Sequence, residues 1–335
     1  MGRNRWWLGW LLWLPLLASA QEPVRPANPL RVDIEGVGTG VVVSDQGVAL
    51  FSGDSLQRQW RVLDGQSVFE PVANGRSILV GSSRGIYAIN PADGSFRWHY
   101  PVSTTAVYSP LLVESMAVAG ATDGILRAVD VGTGRLLWQR SFPGWIYTPA
   151  PLGDLLVSGG SHGVLWALDH EGKSRWQFDL DEDELVFGPV AVNESLLIAT
   201  TFSGRVVALD EQGNLQWELR LATPVKRIDF REDQLLLHRF GGSLSQVDAY
   251  RGELLADYPL QGGITHLSSW HGGRWWVSDS EGHVETLNKQ GDMHSIGALQ
   301  RQVVAGPIVW NQRVMLPVRR GRELEFVTLA DPSAL

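Results

Sequence analysis

An eight-bladed β-propeller is the fold that this chain of 335 residues predicts, and three features repeated in one register predict it. Glycines recur at Gly47, Gly85, Gly124, Gly163, Gly204, Gly242, Gly282 and Gly321, in steps of 38 to 41 residues. Tryptophans keep the same step at Trp60, Trp98, Trp138, Trp176 and Trp217, and an aromatic-x-Pro marks Phe69, Tyr108, Tyr147 and Phe187. A second glycine series (Gly94, Gly134, Gly172, Gly213, Gly252 and Gly291) falls in the same register. A period near 40 built from short strands is the signature of a propeller blade.

Residues 1–20 stand outside the repeat. Arg3 and Arg5, the apolar residues 6–17 and the small residues Ala18, Ser19 and Ala20 compose a secretory leader. The apolar stretch is too short to cross a bilayer comfortably, and Asn4 between the arginines breaks any twin-arginine pair. A single propeller domain is therefore expected over residues 21–335: periplasmic, without a transmembrane anchor, and monomeric on its own.

Within each repeat, alternation such as Ile86-Tyr87-Ala88-Ile89 reads as a half-buried strand, and Asp93-Gly94 or Thr133-Gly134 reads as the turn that closes it. The small residues Ala88, Ala128, Ala167 and Ala208 leave room at a crowded position. The tryptophan nine or ten residues on then fills the wedge between blades, and burying such a ring contributes about 2–4 kcal/mol. The sixth and seventh repeats carry Ala256 and Ser295 near that slot and are expected to be the loosest. No segment shows an apolar 3.6-residue period with caps, so a helical solenoid is excluded. Residues 32–44 precede the first glycine and residues 324–329 follow the last one. The expectation is that N- and C-terminal strands share one blade, closing the ring and removing two edges.

A formal net charge of −8 argues against a nucleic-acid partner. The absence of cysteine excludes a disulfide framework, a thiolate nucleophile and a Cys-ligated metal. Gly81-Ser82-Ser83-Arg84-Gly85 matches a nucleophile elbow in letters only, because the same slot holds Gly120–Gly124 and Gly159–Gly163 and is a repeat turn. Asp179, Asp181 and Asp183 imitate the opening of a calcium loop, but Glu184 and Val190 stand where Gly and Glu are needed. The eight histidines are scattered, there is no phosphate-cradling loop, and Arg319, Arg320 and Arg322 read as a solvated basic turn. No catalytic, cofactor or metal residues are assigned. The residues singled out for a partner are Asp181, Asp183 and Glu184, in a loop whose counterparts are mostly neutral, and Trp145, which is out of register with every repeat marker.

The unit G-x-x-x-A-L-D-x-x-x-G-x-x-x-W resembles the repeat of the pyrroloquinoline-quinone propeller superfamily, which holds both quinoprotein dehydrogenases and cofactor-free scaffolds. The export signal, the eight repeats, the near-minimal length and the segment VSDSEGHVETLN (277–288) resemble the BamB family of outer-membrane β-barrel assembly. That resemblance implies a non-catalytic periplasmic scaffold that contacts the assembly protein BamA through loops on one face, partly through acidic residues in a central blade. The enzyme branch is the alternative, with a ligand- or polysaccharide-binding propeller as a third reading. Quinoprotein dehydrogenases are generally longer and many carry an adjacent cysteine pair, which this chain lacks. BamB proteins are commonly lipoproteins with Cys at the mature N-terminus, where this chain has Gln21.

Overall fold

A computed structural model describes residues 29–329 apart from 35–37, 104–105, 181–183, 260–264, 280, 300 and 322, together with the backbone alone of 265–271. The leader expected over 1–20 lies outside the described residues. Eight antiparallel sheets follow one another along the chain, at 30–62, 72–101, 111–141, 150–179, 190–220, 225–258, 265–298 and 302–328. They are called blades 1 to 8 here. In blades 1 to 7 the four strands lie in chain order. The first strands of neighbouring blades touch, for example Val72–Ala73 with Leu111–Val113 and Ala150–Leu152 with Val190–Asn193, so the first strand is the innermost. The second and third strands are buried almost throughout, and the fourth shows its side chains to solvent in alternation.

The repeat markers acquire physical roles. Ala88, Ala128, Ala167 and Ala208 sit directly across the strand pair from Trp98, Trp138, Trp176 and Trp217, and a register shift follows each pair. Each tryptophan then reaches the next blade. The indole N–H of Trp98 donates to the Val131 carbonyl at 2.9 Å, and that of Trp138 to His170 at 2.8 Å. Trp60, Trp176 and Trp217 repeat the contact at Pro91, Glu211 and Ala249. The ring covers a turn glycine: a methyl added at Gly134 would stand 2.6 Å from the Trp98 ring, and the glycine's φ of +71° is one that side chains rarely adopt. Gly85, Gly124, Gly163 and Gly204, the leading series, also have positive φ. The sixth seam, where Ala256 stands near the tryptophan's slot, is closed by Tyr258, whose hydroxyl donates to the Gly291 carbonyl at 3.0 Å. A phenol two residues along the strand reaches where an indole would have.

The shared closing blade is not what forms. Residues 323–328 pair with 313–320, and Leu30–Ile34 pairs with Gly38–Ser44, so each terminus completes its own sheet. The reason is local: residues 30–34 and 38–42 make an antiparallel hairpin, which closes at far lower entropic cost than a pairing across the whole chain. Blades 8 and 1 meet through side chains instead. Val41, Val43 and Phe51 pack with Ile308, Trp310, Met315 and Leu324, and Phe51 meets Phe326 edge to face at 5.0 Å. Polar contacts flank that core: Trp310 Nε1 donates to the Gly53 carbonyl at 3.0 Å, Arg58 pairs with Glu323, and Arg319 grips Asp45. Arg319 is thus a closing residue and not part of a purely solvated turn.

Candidate partner-binding face

The loop that joins one blade to the next and the turn between second and third strands lie on the same end of the propeller. They are stitched together by single bridges, Val68 to Ser82, Val107 to Ala121, Ile146 to Gly160 and Val186 to Thr201. The aromatic-x-Pro residues sit in these loops and form a chain of rings. Phe69 meets Tyr108 at 5.2 Å, Tyr108 meets Tyr147 at 4.9 Å, and Tyr147 meets Phe187 at 6.4 Å. Tyr108 is buried and Tyr147 half-buried, so the early part of the chain is structural.

The chain of rings surfaces at blades 5 and 6. Phe187 lies 6.3 Å from Phe202 and 6.0 Å from Phe240, and those two meet edge to face at 5.7 Å. Phe202 and Phe240 keep 52% and 42% of their exposure, which makes a concentrated aromatic patch at this end. Both stand two residues before the leading glycine. The same slot holds Asp45, Ser83, Thr122, Ser161, Ser280 and Arg319 in the other repeats, so the turn itself does not need an aromatic there. The pair belongs to none of the repeat markers, and its signal in the sequence is Phe in a turn slot that is small or polar in the other repeats.

Of the residues singled out beforehand, Glu184 is at this patch. Its Oε1 accepts a hydrogen bond from Ser203 at 2.6 Å, next to Phe202. Asp181 and Asp183 lie outside the described residues. Trp145 occupies the corresponding loop one blade earlier and is half-buried. Its backbone is pinned to the neighbouring turn, the amide donating to Ser161 Oγ at 3.1 Å and the carbonyl accepting from the Ser161 amide at 3.2 Å.

The interior of blade 6 carries charge. Arg227, on its innermost strand, lies 3.2 Å from Asp229 and 3.7 Å from Glu70, which belongs to the loop entering blade 2 on the opposite side of the ring. His238 is fully buried, with Nε2 2.9 Å from an Asp229 carboxylate oxygen. Burial holds its pKa below the ordinary 6.5 against the pull of Asp229. Burial, with the like charge of Arg227, brings the Lys226 ammonium down to about 8. Among the described residues no three His, Asp or Glu side chains converge as a cation's ligands would.

Comparison with known proteins decides the family. The model of the outer membrane protein assembly factor BamB family matches residues 44–177 and 161–325. This chain belongs to the BamB family. A BamB of Moranella endobia is 23% identical over 292 residues, 78% of this chain and 73% of that protein. A BamB of Alkalilimnicola ehrlichii is 31% identical over 160 residues, 44% of this chain and only 39% of that protein. The crystal structure of BamB from Moraxella catarrhalis superposes with a TM-score of 0.68 at 18% identity, covering 91% of this chain and 99% of that one. A computationally designed protein, Ika8, superposes with a TM-score of 0.74 at 14% identity over 92% of this chain, which marks the likeness as one of fold.

Proposed function

We propose that this chain is a non-catalytic periplasmic scaffold of outer-membrane protein assembly, which engages the assembly machine through the aromatic and acidic end of blades 4 to 6. The observation that carries the reading is the exposed pair Phe202 and Phe240 in a turn slot that is polar elsewhere, beside Glu184. Aromatic anchors beside a charged rim are the pattern of protein interfaces, in which a few residues dominate the affinity. Asp181 and Asp183 extend the rim in sequence and, with Trp145 in the adjacent loop, complete the proposed contact set. Membership of the BamB family supports a partner from the assembly machine, and BamA is the one to try first.

The test is capture of purified BamA by the wild type and by Phe202→Ser/Phe240→Ser. Loss of two anchors is expected to weaken binding by about a hundredfold or more, since one such residue contributes about 2 kcal/mol, roughly thirtyfold, and neighbouring anchors do not add in full. Folding should be unchanged because both rings are exposed. Asp181→Lys/Asp183→Lys should slow association in a salt-dependent way. Equal capture by all three proteins would remove this end from the interface, and no capture by any would remove the scaffold reading.

A further inference from the structure

On the end of the propeller away from the inter-blade loops, blade 2 departs from its neighbours at two adjacent turns. The first of them joins its first strand to its second. That turn is two residues long in blades 3 to 8, at 114–115, 153–154, 194–195, 232–233, 272–273 and 311–312. In blade 2 it runs from Asn74 to Ser77, since Ala73 pairs with Ile78. The Asn74 side chain folds the longer turn by accepting from the amides of Arg76 and Ser77 at 3.2 and 2.9 Å. The turns of blades 3 to 6 carry the acids Glu114, Asp154, Glu194, Glu232 and Asp233. Of all these turns only that of blade 2 carries a cation, Arg76.

The second turn joins the third strand to the fourth. Asp130, Asp169, Asp210 and Asp248 open it in blades 3 to 6, and their carboxylates accept from the turn's amides. Blade 2 has Asn90 there, which keeps such a bond, from the Ala92 amide at 3.2 Å, and drops the charge. Blade 4 shows what the charge does. Arg175, the residue before Trp176, pairs with Asp169 at 2.9 Å. Arg97 holds the same place before Trp98, and among the described residues its guanidinium meets only the Asn90 oxygen, at 3.4 Å. Asp93, in the same turn, spends its carboxylate on Ser95, whose amide and hydroxyl donate to it at 2.9 and 2.7 Å. The Arg76 guanidinium and the Asn90 side-chain N–H groups meet no acceptor among the described residues. Both turns open on one cleft between blades 1 and 2. It measures about 240 Å³ and is lined by Arg76, Asn90 and Arg97, with Ile34, Pro91 and Ala92 as its apolar wall. Trp60 fixes that wall by donating to the Pro91 carbonyl at 2.9 Å. One departure adds a positive charge and the other removes a negative one, and both act on the same space. A cleft lined by one sign of charge concentrates the opposite ion.

We propose that this cleft binds a phosphate monoester, with its oxygens between Arg76 and Arg97 and its organic group against Ile34 and Pro91. A guanidinium presents paired N–H groups that match two oxygens of one phosphate. Two such groups match the charge of a monoester, about −1.5 to −2 at neutral pH, better than that of a carboxylate. Asn90 supplies a neutral donor for a further oxygen, which an aspartate in its place would repel. The site is made of side chains and needs no glycine-rich loop. It shares no residue with the partner-binding face proposed above, and the inference does not depend on that face.

Glycerol 3-phosphate is the probe, titrated into the purified protein at low ionic strength in a calorimeter. A single saturable site is expected. Arg76→Gln and Arg97→Gln should each weaken binding about tenfold or more, as loss of a charge-assisted hydrogen bond does. Asn90→Asp installs the residue that blades 3 to 6 use, gives Arg97 a counter-charge, and should abolish binding without lowering the melting temperature. Arg135→Gln removes an exposed arginine from the equivalent turn of blade 3 and should change nothing. Vesicles of phosphatidylcholine doped with phosphatidic acid tell the sources of the phosphate apart. Retention on them, lost in Arg97→Gln, assigns the group to a lipid headgroup. Binding of the soluble ester without retention assigns it to a free molecule. Three results would overturn the inference. One is binding of neither probe by the wild type, and if Glu35→Gln then binds, a carboxylate of the chain itself holds the arginines. Another is equal weakening by Arg135→Gln, which means diffuse attraction to the surface. The last is full binding by Asn90→Asp, which means that the anion sits elsewhere.

Discussion

One tryptophan joins two blades, and the chain repeats that device at five seams. The ring of Trp138 covers Gly172, whose φ of +76° and missing side chain make the space, while its N–H meets the carbonyl of His170. Trp138→Phe keeps the apolar body and loses the hydrogen bond, and is expected to cost about 1 kcal/mol. Trp138→Ala removes the ring as well and should cost about 2–3 kcal/mol, below the range for a fully buried ring because this one is only half-buried. Urea unfolding of the three proteins checks the order, and equal midpoints would mean that the ring merely lies on the surface. His238 gives the residue scale a pH dependence. Its pKa is depressed in the folded state by burial, so the folded protein binds fewer protons there than the unfolded chain does. Stability from this group is complete above the ordinary pKa of 6.5 and is lost as the pH falls below it. Asp229 opposes the loss, and Arg227 and Lys226 reinforce it. The urea midpoint of the wild type should therefore fall between pH 7.5 and 5.5 by more than that of His238→Gln, and equal falls would show that the imidazole takes no part.

At the scale of the element, what the sequence made legible was what repeats. Alternation and turn glycines located the strands of each blade, and the Ala–Trp spacing anticipated a ring between blades, which the structure shows at Trp98; that Ala88 stands directly across the strand pair from it is a finding of the structure. Aromatic-x-Pro was visible as a marker, but its meaning as a chain of rings was not, because it depends on the angle between successive blades and not on spacing. Tyr258 escaped because it does the work of a tryptophan from a position two residues away. The pairing of the termini was misjudged for a related reason. Pattern shows that a segment is a strand, whereas its partner is chosen by competition, and the hairpin between Leu30–Ile34 and Gly38–Ser44 wins locally. Phe202 and Phe240 broke the pattern of their slot, and departures from a repeat are where function is written in such a chain.

For the whole molecule the decisive seam is the one between blades 8 and 1, since every other pair of neighbouring blades is also tied by the chain itself. Here cohesion rests on the apolar cluster around Phe51 and Trp310 and on the ion pair of Arg319 with Asp45, 274 residues apart in sequence. Both residues occupy the turn slot two before the leading glycine, so adjacent repeats present opposite charges at matching heights. The Asp45 side chain keeps only 6% of its exposure and that of Arg319 keeps 25%. Arg319→Met leaves a nearly buried carboxylate without its counter-charge, and is expected to cost about 2–3 kcal/mol, less than for a pair wholly out of water. Replacing both, as Asp45→Asn/Arg319→Met, removes the stranded charge and should recover part of that loss. Urea unfolding of the four proteins in a double-mutant cycle measures the coupling. Hydrogen exchange then places it: the Arg319→Met variant should open first at the strands of blades 1 and 8 while blades 3 to 5 stay protected. A coupling near zero, with exchange rising evenly round the ring, would mean that the apolar cluster closes the propeller unaided.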